Sequence, residues 1–221
     1  MVNHQILLNW IIKNKGVGQR RFKIPLLCRN FAPMKNAVVF ASGEGTNAEN
    51  LFSYFANDSR IKIKLVVTNK DTAGVIARAE KYKKNVQIVS KMALENYTDQ
   101  LIEFLKVEKI DLIILAGFLL QIPPAFVRAF PNQIINIHPS LLPKFGGKGM
   151  YGKHVHAAVI AAGETESGIT VHFVNEEYDK GEIILQAKCD VTANDTPETL
   201  ASKIRALEHE WFPKAVERLL L

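Results

Sequence analysis

From residue 36 onward the chain alternates between short apolar runs and stretches whose apolar residues recur every three or four positions. Ala37-Val38-Val39-Phe40-Ala41 is a β-branched apolar run of strand length. Ser42-Gly43-Glu44-Gly45-Thr46-Asn47 interrupts it, and 48–56 reads as a helix. A second strand is predicted over 61–68, a helix over 73–83, and a short strand over 86–89. Leu94, Tyr97, Leu101, Phe104 and Leu105 fall on one helical face. Residues 111–116 are apolar at nearly every position, as in a strand buried on both faces of a parallel sheet. Pro123 and Pro124 mark the start of a short helix, and 133–137 reads as a further strand. A helix is predicted over 151–162, strands over 168–175 and 183–190, and a terminal helix over 197–221. Pro213 predicts a kink or break in that last helix.

This alternation defines an α/β fold with a mainly parallel sheet. The strand pair at 168–190 adds a hairpin-like element. With no repeat and no low-complexity linker, 34–221 is expected to form a single domain. The chain has 221 residues, 48% hydrophobic and 23% charged. That balance excludes a disordered or collagen-like protein. No stretch approaches the roughly 18 uncharged apolar residues of a membrane span, so no membrane partner is expected. Two cysteines, Cys28 and Cys189, are too few for a disulfide scaffold or a thiolate metal site. They fit a reducing, cytoplasmic setting.

The net charge of +6 is localised. Residues 1–33 hold Lys13, Lys15, Arg20, Arg21, Lys23 and Arg29 and no acid, and these six account for the whole excess. The neutral remainder lacks the Lys/Arg stripe that a nucleic-acid partner requires. The basic segment 1–33 is expected to be an extension outside the fold, with a targeting segment or a basic arm as the alternatives.

Four segments carry candidate chemistry. The 42–47 segment lies between a strand and a helix. Its glycines allow a tight turn, and the helix start can face an anion; the competing reading makes Thr46 or Asn47 a plain N-cap. Asn136 and His138 project to the same side at the end of a strand, where parallel sheets bind ligands. Imidazole can move a proton near neutral pH, and an amide can donate to a developing oxyanion. Thr170 and His172 share a strand face, and Asp179 follows on a turn. Asp179 is either a turn-former beside Gly181 or a carboxylate that stabilises the His138 imidazolium and raises its pKa. Residues 144–152 hold four glycines, forming either a connector or a mobile lid. His154 and His156 suggest a metal, but positions two apart on a helix do not face one another, and none is expected.

Taken in order, Ser-Gly-Glu-Gly-Thr-Asn (42–47), Leu-Ala-Gly-Phe (115–118), Asn-Ile-His-Pro-Ser-Leu-Leu-Pro-Lys (136–144) and Thr-Val-His-Phe-Val leading to Asp179 resemble the phosphoribosylglycinamide formyltransferase family over about 35–221. The resemblance implies a Rossmann-like twisted sheet with helices on both faces. It implies formyl transfer from 10-formyltetrahydrofolate, as co-substrate, to the amine of glycinamide ribonucleotide in purine (IMP) synthesis, by a monomer or homodimer. Asn136, His138 and Asp179 would be the catalytic group, with Thr170 and His172 in support. Thr46, Asn47 and Ala48, with Arg205, Ala206, Leu207 and Glu208, would contact the ribonucleotide. Leu119, Leu120, Gln121 and Ile122, with Asn175, Glu176, Glu177 and Tyr178, would line the folate slot.

The chain departs from the family in places. Phe118-Leu119-Leu120 replaces a common Phe-Met-Arg. The loop after Lys144 is longer than the common Pro-Gly-x-His-x-His form. A substrate arginine usual near 91–95 is absent, leaving Lys91 as the nearest substitute. Formyltetrahydrofolate hydrolase, or a non-catalytic folate- or nucleotide-binding module on the same fold, are the alternatives. A methionyl-tRNA formyltransferase would need a basic face and a further RNA-binding domain.

Overall fold

A computed structural model describes residues 33–221; apart from residue 33, the basic segment 1–33 and the expectations for it lie outside the described residues. Among the described residues, seven strands form one sheet: β1 (Lys35–Phe40), β2 (Ile61–Thr68), β3 (Asn85–Ile88), β4 (Leu112–Leu115), β5 (Ile134–His138), β6 (Glu166–Phe173) and β7 (Ile183–Asp190). Their spatial order is β3-β2-β1-β4-β5-β6-β7. The first five run parallel, and β6 and β7 are antiparallel to their neighbours. The helices are α1 (Thr46–Tyr54), α2 (Val75–Lys81), α3 (Lys91–Asn96), α4 (Thr98–Val107), α5 (Pro124–Ala129), α6 (Lys153–Ala161) and α7 (Pro197–Leu220).

The central strands read as continuous apolar runs because both of their faces are covered. Ala37, Val39 and Ala41 join one core with residues of α1, α2, α6 and α7. Val38 and Phe40 join a second core, with α3, α4 and α5 on the opposite face. Chain order reverses between β1 and β4, since β2 and β3 lie on one side of β1 and β4 and β5 on the other. Loops leaving the carboxyl ends at such a point part to form a crevice, the usual ligand position in open α/β sheets.

Two local expectations change. The apolar face from Leu94 to Leu105 belongs to two helices, because Tyr97 leaves helical geometry at φ −125°, ψ 30°. The Thr98 hydroxyl bonds back to the Leu94 carbonyl, so both helices keep their leucines in the same core. Pro213 does not break α7, which runs unbroken to Leu220 with the proline buried inside it. Proline removes the N–H that would bond the carbonyl four residues back. That carbonyl belongs to His209, and the Asn50 side chain of α1 donates to it at 2.8 Å.

Candidate active site

The loop after β1 turns at Gly45, which has φ 74° and precedes the first residue of α1. A Cβ there would lie 2.6 Å from the Val75 side chain, so only glycine permits this approach of loop and α2. No side chain caps α1, and neither Thr46 nor Asn47 acts as the N-cap. The first N–H groups of a helix have no partner within it, so the start of α1 keeps donors for an anion. The Glu44 carboxylate packs against Gly74. The Arg78 guanidinium donates to the Glu44 carbonyl at 2.6 Å and also pairs with Glu49. Ser42 ties this loop to the one after β4, since its hydroxyl accepts from the Leu119 N–H at 2.9 Å.

The loop after β4 is anchored from below. Phe118 packs edge-on against the buried Phe40 ring, with centroids 5.2 Å apart. Leu119 is left 48% exposed, and it lines the cavity.

At the end of β5, antiparallel register places Asn136 opposite His172 and His138 opposite Thr170. Directly opposed residues share a face. The Asn136 amide nitrogen accordingly lies 3.1 Å from His172 Nε2 and 3.4 Å from Asp179 Oδ1. His172 Nδ1 lies 2.8 Å from the Phe173 carbonyl and must donate to it. His172 Nε2 thus faces both the Asn136 amide and Asp179 Oδ1, the latter at 3.5 Å. Thr170 does not line the cavity. Its hydroxyl donates to the Ser140 carbonyl and accepts from the Leu142 N–H, pinning the chain that leaves His138.

His138 is only 4% exposed. Its Nε2 donates to the Phe145 carbonyl at 2.8 Å, and its Nδ1 faces Asp179 Oδ2 at 3.6 Å. The same Oδ2 accepts from the Gly147 N–H at 2.8 Å. Phe145 and Asp179, which hold the two ring nitrogens, both adopt left-handed backbone, at φ 56° and 54°. Such conformations cluster at functional sites. Burial pushes the His138 pKa below its ordinary value, and the opposing pull of Asp179 does not offset it. Asp179 acts on the His138 pKa in the expected upward direction, but desolvation, which spacing along the chain does not reveal, outweighs it. For Asp179 itself burial acts upward, yet His172, His138 and the Gly147 N–H together hold the carboxyl below its usual range.

These groups open into one cavity of about 700 Å³. Thr46 and Asn47 line one end with Arg205 and Glu208, where the Asn47 amide donates to Glu208 at 2.9 Å. Burial raises the Glu208 pKa despite that bond. Leu119, Leu120, Gln121, Ile122 and Asn175, Glu176, Glu177, Tyr178 line the other end, as a partly apolar slot. Three expected contacts do not line it. The Ala48 side chain is fully buried, Leu207 packs on the core, and Ala206 faces outward. Lys91 also lies off the cavity and pairs with Glu95 one turn on. The loop residues Gly147 to Gly152 and His156 do line it. His156 carried no signal beyond its type, because only the packing of α6 shows where it points. Among the described residues, no group of three metal-ligating side chains comes together.

A strand-end Asn–His–Asp group beside an anion-type helix start and an apolar slot suits a transferase acting on two small molecules. Residues 35–216 match the formyl transferase family, and the chain belongs to that family. It is 41% identical over 187 residues to phosphoribosylglycinamide formyltransferase, chloroplastic, of Arabidopsis thaliana, covering 82% of this chain but only 64% of that protein. It is 37% identical over 191 residues to phosphoribosylglycinamide formyltransferase of Bacillus subtilis, covering 85% of this chain and 95% of that one. The crystal structure of phosphoribosylglycinamide formyltransferase from Anaplasma phagocytophilum superposes with a TM-score of 0.77 at 35% identity, covering 85% of this chain and 88% of that one.

Proposed function

We propose that the protein transfers the formyl group of 10-formyltetrahydrofolate to the amine of glycinamide ribonucleotide, a step of purine synthesis. The observation that carries this reading is the buried His138, held between Phe145 and Asp179 in the wall of a cavity that also takes in the start of α1 and an apolar slot. The phosphate would take the N–H donors of α1, with Arg205 beside them. The pterin would enter the slot of Leu119 to Ile122.

The neutral amine attacks the formyl carbon, forming a C–N bond as the carbonyl pair moves onto oxygen. His138 Nε2–H exchanges the Phe145 carbonyl for this oxyanion, whose charge favours the protonated ring. Collapse restores the carbonyl and breaks the bond to the folate nitrogen. That nitrogen gains one proton and the attacking amine loses one, so His138 needs only to relay a proton. Asp179 orients His138 and favours its charge. Asn136 is itself oriented by His172. Replacing His138 by Ala should lower turnover by at least about 100-fold with the melting transition retained; near-normal turnover in a folded variant contradicts the mechanism.

The same reading places the enzyme in the cytoplasm, a placement that cell fractionation tests. No described helix is long and apolar enough to cross a membrane.

A further inference from the structure

His156 is used by no step above, yet it lies at the cavity wall. It sits on α6, is 6% exposed, and its Nδ1 is buried without a hydrogen-bond partner. A buried polar atom left unpaired is destabilising, so this position requires an explanation. A second buried atom in the same wall is also unpaired, the Asn47 side-chain oxygen. Asn47 spends its amide nitrogen on Glu208, and Arg205 and Glu208 complete this end of the cavity. His138 and Arg205 line the same cavity as His156, and both act electrostatically on its ring. Two residues that line the same polar cavity end thus each carry an unpaired buried atom, which a ligand with several hydroxyl groups could pair once seated.

We infer that His156 is a binding residue for the ribonucleotide, its uncharged imidazole meeting a ribose hydroxyl. This rests on the formyl-transfer reading and extends it by one contact. A hydroxyl suits the position better than the phosphate. Burial, reinforced by the positive charge of Arg205, holds the His156 pKa below its ordinary value, so the ring is neutral at pH 7. Arg205 and the α1 donors are the groups that match a dianion. A hydroxyl can both donate to and accept from a neutral imidazole, and it would end the isolation of a buried ring nitrogen.

The test is calorimetric binding of glycinamide ribonucleotide to the wild-type chain and to His156→Leu and His156→Gln, with melting curves as the control for folding. His156→Leu should weaken binding about tenfold, the usual size of one lost polar contact. His156→Gln, which restores a donor and an acceptor, should stay within about threefold of wild type. The KM for formyl folate should not change in either variant. Equal binding by a folded Leu variant overturns the inference, as does a Gln variant no better than Leu. If the Leu variant does not fold, the wild-type chain decides: the ¹⁵N resonance of His156 should move on adding ribonucleotide, and a resonance unmoved at saturation overturns the inference. A wild-type chain that binds no ribonucleotide instead removes the functional reading itself.

Discussion

Asp179 presents one carboxylate oxygen to His138 Nδ1 at 3.6 Å while that same oxygen accepts the Gly147 N–H at 2.8 Å. One atom thus couples the buried imidazole to the glycine-rich loop. The Phe145 carbonyl, two residues earlier on that loop, holds the other ring nitrogen. Loop position and imidazole charge are therefore set together.

Asp179→Asn keeps the shape and removes the charge. Asp179 raises the His138 pKa against burial, so its loss lets that pKa fall further. The protonated ring is then lost at a lower pH. Turnover should drop by about 10² or more, and the limb of the pH profile that requires protonated His138 should move toward acid. A profile of kcat/KM against pH measures both, and an unmoved limb would rule out electrostatic coupling.

Gly181 governs the same group from behind. A Cβ there would lie 1.7 Å from the Phe173 carbonyl oxygen, the acceptor that fixes His172. Gly181→Ala must push that carbonyl away, releasing His172 and with it Asn136. At least a tenfold fall in kcat is expected, with a lower melting temperature as the strain is shared with the fold. Wild-type kcat in this variant would show that the Asn136–His172 contact does not matter to turnover.

Leu119 and Tyr178 are large apolar side chains left 48% and 41% exposed in the slot. Truncating either to Ser removes surface that a pterin would cover. At roughly 25 cal/mol per Å², each change should raise the KM for formyl folate several-fold and leave the KM for ribonucleotide unchanged. Steady-state kinetics with each substrate varied in turn separates the two, and an effect confined to the ribonucleotide would reverse the assignment of the two cavity ends.

Asn50 is expected to matter because of Pro213. Asn50→Ala leaves the His209 carbonyl without the donor that proline cannot supply. Water can reach that carbonyl, so the loss should be about 0.5–1.5 kcal/mol, a fall of a few degrees in melting temperature. In a Pro213→Ala background the helix regains its own N–H, and Asn50→Ala should then cost less. Equal costs in both backgrounds, measured by denaturant unfolding, would show no coupling.

Much of the fold was legible because parallel strands buried on both faces leave continuous apolar runs, as in Val38-Val39-Phe40 and Leu112-Ile113-Ile114-Leu115. Asn136 and His138 could be paired because strand side chains repeat every two residues. What was not legible depended on contacts distant in sequence. The carbonyl that Pro213 leaves without a helical donor is met by Asn50, from another helix. The lowered His138 pKa depends on how much wall surrounds the ring, a quantity that spacing does not encode. Tyr97 keeps the apolar period while breaking the helix, so periodicity alone joined two elements. His156 resembled any other helical histidine until α6 was seen against the cavity.

The central claim is that the cavity joins a formyl folate to a ribonucleotide amine. The most direct measurement follows loss of the formyl group from 10-formyltetrahydrofolate spectrophotometrically, with and without glycinamide ribonucleotide. Deformylation that requires the ribonucleotide, with one formylated product per folate released, is the expected result. Deformylation at the same rate without it would make water the acceptor and contradict the account, and no deformylation under either condition would contradict it equally.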